Sequence, residues 1–305
     1  MGGRRPPRFT LIGAGAVGSS VGLSLLKQDW RPIGVFGRTP TSARAAALAA
    51  EIGADSELEL DAACQASDLI LIAIPDGHIS GVAQELSETE VDWKDKTVIH
   101  TSGVQLAEAL SSLKRLGAST AAAHPLQSFP GPARPDALKG CYVTVEGDES
   151  ACRMARGFFE KAESRVVQVS TSDKVAIHLA ASVTSNFAVT IASIAREILQ
   201  TTSLGEQEIV SMLQPLLEGT VQNIRDRGPD RALTGPVVRG DTETVGLHVE
   251  LLGERAPHLI TSYVALVTET VRIARKTARL SSADAMDILD RVIEALPVPP
   301  ASDEV

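Results

Sequence analysis

Over the first 170 positions apolar residues come in short solid runs, and beyond that point they come at helical spacing. The runs are Phe9–Ile12, Pro32–Phe36, Leu69–Ile74, Thr97–His100, Ser119–Ala123, Cys141–Val145 and Arg165–Val169. Each is too short for a buried helix and reads as a strand covered on both faces. Helix-period patterns lie between several of them, at 14–28, 41–51, 78–87 and 149–162. This alternation predicts an α/β fold with a doubly wound parallel sheet, which takes its ligands at the carboxyl ends of the strands. After 170 the period is helical throughout. A long helix is expected from Thr171-Ser172-Asp173, all good N-cap types, to about 200. Others follow at 205–226, 241–253, 256–279 and 282–295. The chain thus divides into a sheet domain over 8–169 and an all-α domain over 170–295. The second has no nucleotide motif of its own and is expected to supply substrate contacts and a subunit interface. Residues 1–7 and 296–305 read as disordered ends.

The first strand runs into Gly13-Ala14-Gly15-Ala16-Val17-Gly18, and an apolar helix pattern follows. A Gly-x-Gly-x-x-Gly in strand–turn–helix context is a dinucleotide-binding fingerprint. Gly13 allows the tight turn, Gly15 lets backbone amides approach a pyrophosphate, and Gly18 lets the helix pack closely on the strand. Free N–H groups and a partial positive charge at the helix start favour the phosphates. An NAD site usually carries Asp or Glu at the end of the second strand to hold the ribose 2′-hydroxyl. This chain has Gly37-Arg38-Thr39 there, and a guanidinium pairs with a 2′-phosphate. Arg38, Thr39 and Ser42 therefore point to NADP (NADPH). Ala73-Ile74-Pro75-Asp76 closes the next central strand. Pro75 ends it, Asp76 is expected to cap the helix near His78, and Ile74 and Pro75 are placed beside the cofactor.

Charge and composition narrow the partners. The 305 residues carry a net charge of −9, and only 3% are aromatic. That excludes a broad nucleic-acid footprint or a base-stacking surface. Cys64, Cys141 and Cys152 lack metal spacing and read as thiols of a reducing cytoplasm; no metal is expected. Arg4-Arg5 precedes an apolar stretch, but the glycine fingerprint breaks it, so no export signal is expected. The charge-poor stretch 177–195 holds Ser182, Thr184, Ser185, Asn186, Thr190 and Ser193. It is expected to be a buried helix rather than a membrane span.

Hydride transfer to a carbonyl or imine needs a proton donor and, for an acid substrate, a cationic or amide partner. His124 lies in His124-Pro125-Leu126-Gln127-Ser128-Phe129-Pro130, read as a proline-stiffened segment after a strand end. Lys174 and His178, spaced i, i+4, share one helix face. Ser185 falls near it, and Asn186 lies toward its flank. His124, Lys174, His178 and Asn186 are the catalytic candidates. Ser102 and Gly103, after another strand end, give room for the nicotinamide ring. In Leu233-Thr234-Gly235-Pro236-Val237-Val238-Arg239-Gly240-Asp241, Arg239 is a candidate clamp for a substrate carboxylate. Asp241 either orients that arginine or caps the next helix, and Asn223 is a further amide donor. Ser102, Asn223, Arg239 and Asp241 are the substrate-binding candidates. Each residue also has a plain structural reading, as a turn, a cap or a solvated side chain.

Several of these stretches, taken in order, resemble one family. They are the Gly13 fingerprint, Ser102-Gly103, His124 to Phe129, His178 with Ser185-Asn186, Asn223, and Leu233 to Asp241. The chain is similar to bacterial NAD(P)-dependent oxidoreductases that join a Rossmann-like amino-terminal domain to a conserved carboxy-terminal domain of unknown function. That family is similar in turn to ketopantoate reductases, pyrroline-carboxylate reductases, 6-phosphogluconate-type dehydrogenases and deazaflavin-linked NADP oxidoreductases. The resemblance implies a cytoplasmic NADPH-dependent reductase of a small anionic carbonyl compound, with a 2-oxo acid such as ketopantoate foremost. A cyclic imine acid, or a non-catalytic NADP(H) sensor, is the alternative. It also implies a homodimer formed through the helical domain, and neither nucleic-acid nor membrane partners. The 3-hydroxyacid dehydrogenases of the wider group pair a lysine with an asparagine four residues on. Here position 178 is His, and the asparagine comes at 186.

Overall fold

A computed structural model of the chain describes residues 5–39, 41–131 and 133–297. Of the ends expected to be disordered, 1–7 and 296–305, positions 1–4 and 298–305 lie outside the described residues. The chain separates into two units, Met1–Ser185 and Asn186–Val305.

The first unit is built on seven strands: β1 (Arg8–Ile12), β2 (Arg31–Phe36), β3 (Leu69–Ile72), β4 (Thr97–His100), β5 (Ser119–Leu126), β6 (Tyr142–Gly147) and β7 (Arg165–Gln168). They lie in the order β2-β1-β3-β4-β5-β6-β7. Its helices are α1 (Ala16–Lys27), α2 (Ala43–Ile52), α3 (Leu60–Ala66), α4 (Ile79–Ser87), α5 (Ser111–Arg115), α6 (Glu149–Lys161) and the start of α7 (Thr171–Gln200). The doubly wound sheet is parallel from β2 through β5. The β5–β6 pair is antiparallel, and β6–β7 is parallel again. Among the described residues no helix intervenes between β5 and β6, and a parallel return needs a crossover. The chain therefore doubles back.

Side chains alternate across the sheet. Phe9, Leu11, Leu69, Leu71, Ile99, Ala121, Val143 and Val145 face one core with α1, α2 and α6. Ile12, Ile70, Ile72 and Val98 face the other with α3, α4 and α5. Burial on both faces explains the solid apolar runs. Four sequence expectations need correction in this unit. β5 continues to Leu126, so His124 and Pro125 lie inside a strand rather than after it. The edge of β5 is open to β6 there, and His124 pairs with Thr144. Asp76 does not cap a helix. It opens a 3₁₀ turn, Asp76–His78, and its side chain makes no cap bond. Nor is the segment before β1 wholly free: Arg5 pairs with Asp68 at 3.1 Å, and the Pro7 carbonyl accepts from the Arg31 N–H. Finally, the first unit extends past 169 to Ser185, because the start of α7 belongs to it.

The second unit holds the rest of α7, then α8 (Glu206–Arg227), α9 (Pro229–Ala232), α10 (Thr242–Arg255), α11 (Ile260–Lys276) and α12 (Ser282–Ile293). Val245, Leu252, Val264, Val267, Val271 and Ile288 form its core. The expected burial of 177–195 does not occur, since Lys174 is the one buried residue of α7. Val183, Phe187 and Val189 are 49, 53 and 70% exposed. Helix α7 spans 30 residues with a mean hydropathy of 1.5 in its most apolar window, long and apolar enough to cross a membrane. Its apolar stretch is interrupted by the hydroxyls and amide noted above, and its first turns carry the buried Lys174.

Candidate active site

The turn after β1 is shaped for a phosphate. Gly13 has φ +107°, and a Cβ there would collide with the Ala73 carbonyl. A Cβ on Gly18 would collide with the Gly13 carbonyl and meet the Ala73 methyl at 2.9 Å. These two glycines fix the turn against β3 and the start of α1. Gly15 differs: a Cβ there would meet nothing within 4 Å. Open space above a backbone, rather than packing, is what a pyrophosphate needs. Gly15 is the N-cap of helix α1, which has no side-chain cap and no acidic residue in its first turn. Its first N–H groups therefore await an acceptor. The cofactor fits these residues.

At the end of β2, Arg38 and Thr39 are exposed. Among the described residues Arg38 forms no ion pair. Ser42 caps α2, its hydroxyl accepting from the Ala45 N–H at 3.4 Å. The helix start and the guanidinium thus flank the same loop, a setting for a 2′-phosphate.

A cavity of about 260 Å³ opens at the carboxyl ends of the central strands. Val17, Ile74, Asp76, Ser102, Gly103, His124, Phe129 and His178 are among its lining residues. The rings of His124 and His178 stand 5.4 Å apart at 59°. A Cβ on Gly103 would sit 2.9 Å from His124 Cε1 and would collide with His178 Nδ1. Backbone at Gly103 therefore approaches both rings as only glycine permits. Ser102 holds this loop. Its hydroxyl accepts from the Val104 and Gln105 N–H groups at 3.2 and 2.9 Å, and its own N–H donates to His100 Nδ1.

Lys174 is 2% exposed, and its Nζ has no hydrogen-bond partner. Burial pulls its pKa down from the usual lysine range, while Glu146 and Asp76 push it back up. Burial, with the His178 and Lys174 charges, pushes His124 down to about 4. His100 also falls to about 4, from burial and then Lys174, against the opposing bond to the Leu106 carbonyl. Both imidazoles are neutral at pH 7. His178 Nδ1 is buried without a partner. Unpartnered buried polar atoms cost stability, and two in one cluster mark a site.

The structure brings His124, His178 and Ser102 to one cavity, with Lys174 charge-coupled to it. The remaining candidates belong to the second unit. Asn186 and Asn223 are exposed on α7 and α8. Asp241 takes the cap role: its carboxylate accepts from the Thr244 N–H at 3.0 Å and the Thr244 hydroxyl at 2.7 Å. Arg239 stands 4.0 Å from it, with its side chain 65% exposed. Sequence reasoning missed Glu146. It lies at 5% exposure on β6, where its Oε1 accepts from the Ala107 N–H at 2.6 Å. The signal was the polar alternation Thr144-x-Glu146 in an otherwise apolar strand.

The Rossmann-like domain family matches residues 2–125, and the DUF2520 family, a domain of unknown function, matches 141–270. The chain joins a Rossmann-like domain to a DUF2520 domain. No curated protein matches it. Among solved structures, a Bacteroides fragilis protein named "putative NADP oxidoreductase" is 20% identical with a TM-score of 0.72, covering 88% of this chain and 98% of that one. A Thermotoga maritima protein is 24% identical with a TM-score of 0.63, over 88% and 99%. The imine reductase of Myxococcus stipitatus, solved with NADP+, is 16% identical with a TM-score of 0.63, over 94% and 100%. At these identities the likeness establishes the shared fold.

Proposed function

We propose that this Rossmann-like/DUF2520 protein is an NADPH-dependent reductase of a small carbonyl or imine compound. The observation that carries the reading is the His124–His178 pair packed against Gly103, with His178 Nδ1 buried and unpartnered, in the cavity at the strand ends served by the Gly13–Gly18 turn. The cofactor would be held by the α1 amides, with Ala14, Ala16 and Val17 in the same turn, Ile74 and Pro75 alongside, and Arg38 and Thr39 on its 2′-phosphate. When bound, NADPH supplies the hydride.

The chain's own residues supply the proton. Neutral His124 donates a hydrogen bond to the substrate heteroatom and orients it. Lys174 keeps a proton at Nζ in a dry environment, and burial lowers the cost of giving it up. His178 Nδ1 is the ring nitrogen free to exchange it. Ser102 and Gly103 keep the loop flat beneath the reacting atoms. Asn186 and Asn223 of the second unit stay candidate amide donors to the substrate, and Arg239 a candidate partner for the carboxylate of an acid, while Asp241 is taken up by the cap of α10.

Two substrate classes fit. A 2-oxo acid such as ketopantoate suits the Arg239 clamp. An imine suits the cavity itself, whose lining among the described residues holds the Asp76 carboxylate and no lysine or arginine; the Myxococcus neighbour is an imine reductase. The protein is expected to work in the cytoplasm as a homodimer.

Melting-temperature shifts test the cofactor assignment. At about 100 times its Kd, NADPH stabilises the fold by roughly 2.7 kcal/mol, and NADH at the same concentration does much less. Arg38→Asp reverses the order. Equal shifts with both cofactors in the wild-type protein overturn the Arg38 assignment, and no shift with either overturns the whole reading. NADPH oxidation over a panel of oxo acids and imines then decides the class.

A further inference from the structure

A hollow of about 570 Å³ lies at the opposite edge of the sheet from the nucleotide turn. Trp30 and Asp68 line it, and each stands immediately before a strand, β2 and β3. Arg5 closes the side before β1. The amino ends of three neighbouring strands therefore border the hollow. Gln28 caps the carboxyl end of α1, so Trp30 follows the far end of the helix whose start faces the pyrophosphate. That helix has 12 residues and is about 18 Å long at 1.5 Å per residue. The hollow shares no lining residue with the cavity that holds His124 and His178.

The facing wall is one stripe of α6. Met154, Gly157, Phe158 and Lys161 line the hollow, at the i, i+3, i+4, i+7 spacing of a single helix face. The Phe158 and Trp30 rings are buried and meet edge to face, their centroids 6.1 Å apart at 79°. At Gly157 a Cβ would meet nothing within 4 Å. A side chain at this position would take up the hollow, and the glycine leaves helix backbone open for a flat group to lie against.

Charge selects what fits. Asp68 pairs with Arg5 at 3.1 Å and with Arg8 at 3.4 Å, so one carboxylate answers two guanidinium groups. Along α6, Arg153 pairs with Glu149 and Arg156 with Glu160. Lys161, in the last turn, has no ion pair among the described residues. The rim is left cationic in a chain whose net charge is −9. Apolar walls under a cationic rim, in a hollow of this size, suit a small apolar molecule that carries an anionic group.

We propose that this hollow is a second ligand site, built for a small aromatic carboxylate. The aromatic ring packs against Gly157 and the Trp30–Phe158 pair, and the carboxylate meets Lys161 and Arg5 at the rim. The site is independent of the cofactor and of the reductase reading.

The test uses the 15N-labelled full chain and 2-naphthoate as the probe. The chain has two tryptophans, and the indole N–H resonance of Trp30 is assigned by its absence from Trp30→Phe. Titration with 2-naphthoate is expected to shift the Trp30 resonance saturably and to leave that of the buried Trp93 in place. The neutral analogue 2-naphthalenemethanol is expected to bind about tenfold more weakly, the loss of one hydrogen bond to a charged group. Gly157→Leu fills the hollow. It is expected to abolish the shift while melting no lower than the wild type, because leucine is the better helix former. If that variant does not fold, Lys161→Glu decides: at an exposed position it reverses the rim charge and is expected to remove 2-naphthoate binding. Saturating NADPH is expected to leave the Trp30 shift unchanged. No saturable shift, equal affinity for the neutral analogue, or a shift that persists in Gly157→Leu or Lys161→Glu overturns the proposal. Loss of the shift with NADPH also overturns it, since the probe would then lie in the cofactor cavity.

Discussion

In the first unit, Lys174, Glu146 and His100 are nearly sealed from solvent, at 2, 5 and 0% exposure. In the second, Val210, Leu217, Val221 and Ile224 are 51, 42, 60 and 44% exposed along α8. Both arrangements run against the usual placement of these side chains. Hiding polar groups without full partners costs folding free energy, and is expected where chemistry needs a dry, charge-coupled site. Showing an apolar stripe costs solubility, and is expected where another surface will cover it. The four α8 residues fall at i, i+7, i+11 and i+14, one face of the helix. One unit gives up stability at a buried polar cluster, and the other leaves an apolar helix face uncovered, which the homodimer proposed above would bury.

The sharpest way to break this contrast is Lys174→Met. Removing a buried, unpartnered ammonium relieves desolvation, so the variant should be at least as stable as the wild type. Loss of a proton donor should lower turnover by about 10²–10⁴-fold. If turnover persists, the buried cluster of the first unit is structural. Gly18→Val comes next. Its side chain would collide with the Gly13 carbonyl, destabilising the fold by about 1–3 kcal/mol and abolishing the NADPH shift in a thermal melt.

Acid titration separates the units further. His100 titrates near 4 in the folded protein against an ordinary value of 6.5. A depressed histidine pKa means the unfolded chain binds the proton first. Its stability contribution is therefore intact above pH 6.5 and is lost as pH falls toward 4, by about 3 kcal/mol in full. Melting scans should show this loss in the wild type and a shallower one in His100→Gln. The smallest effect on the monomer fold belongs to the exposed stripe. Leu217→Asp with Val221→Asp should halve the mass seen by light scattering and leave NADPH binding intact. A mass that does not change would show that this face is not the interface between subunits.

Much of this was legible in the chain. The glycine turn, Arg38 and the seven strands come from local rules, because a tight turn, a phosphate cradle and a doubly covered strand each impose their own residue types. His124 and His178 were visible as candidates, but their proximity was not. Lys174 and His178 share a helix face through simple periodicity. His124 joins them only because β5 runs on to Leu126.

Composition and period thus determined the two kinds of segment, the nucleotide turn and the helix bearing Lys174. Tertiary structure decided that β6 runs back against β5, which sets Glu146 beside Ala122 and across from His100. It also decided that α7 buries a lysine while leaving its valines exposed. Periodicity ranks the faces of an element by polarity, but strand direction and register are set by connections and packing between distant segments. Those long-range choices place the buried Glu146 and the buried His100 on one face of the sheet.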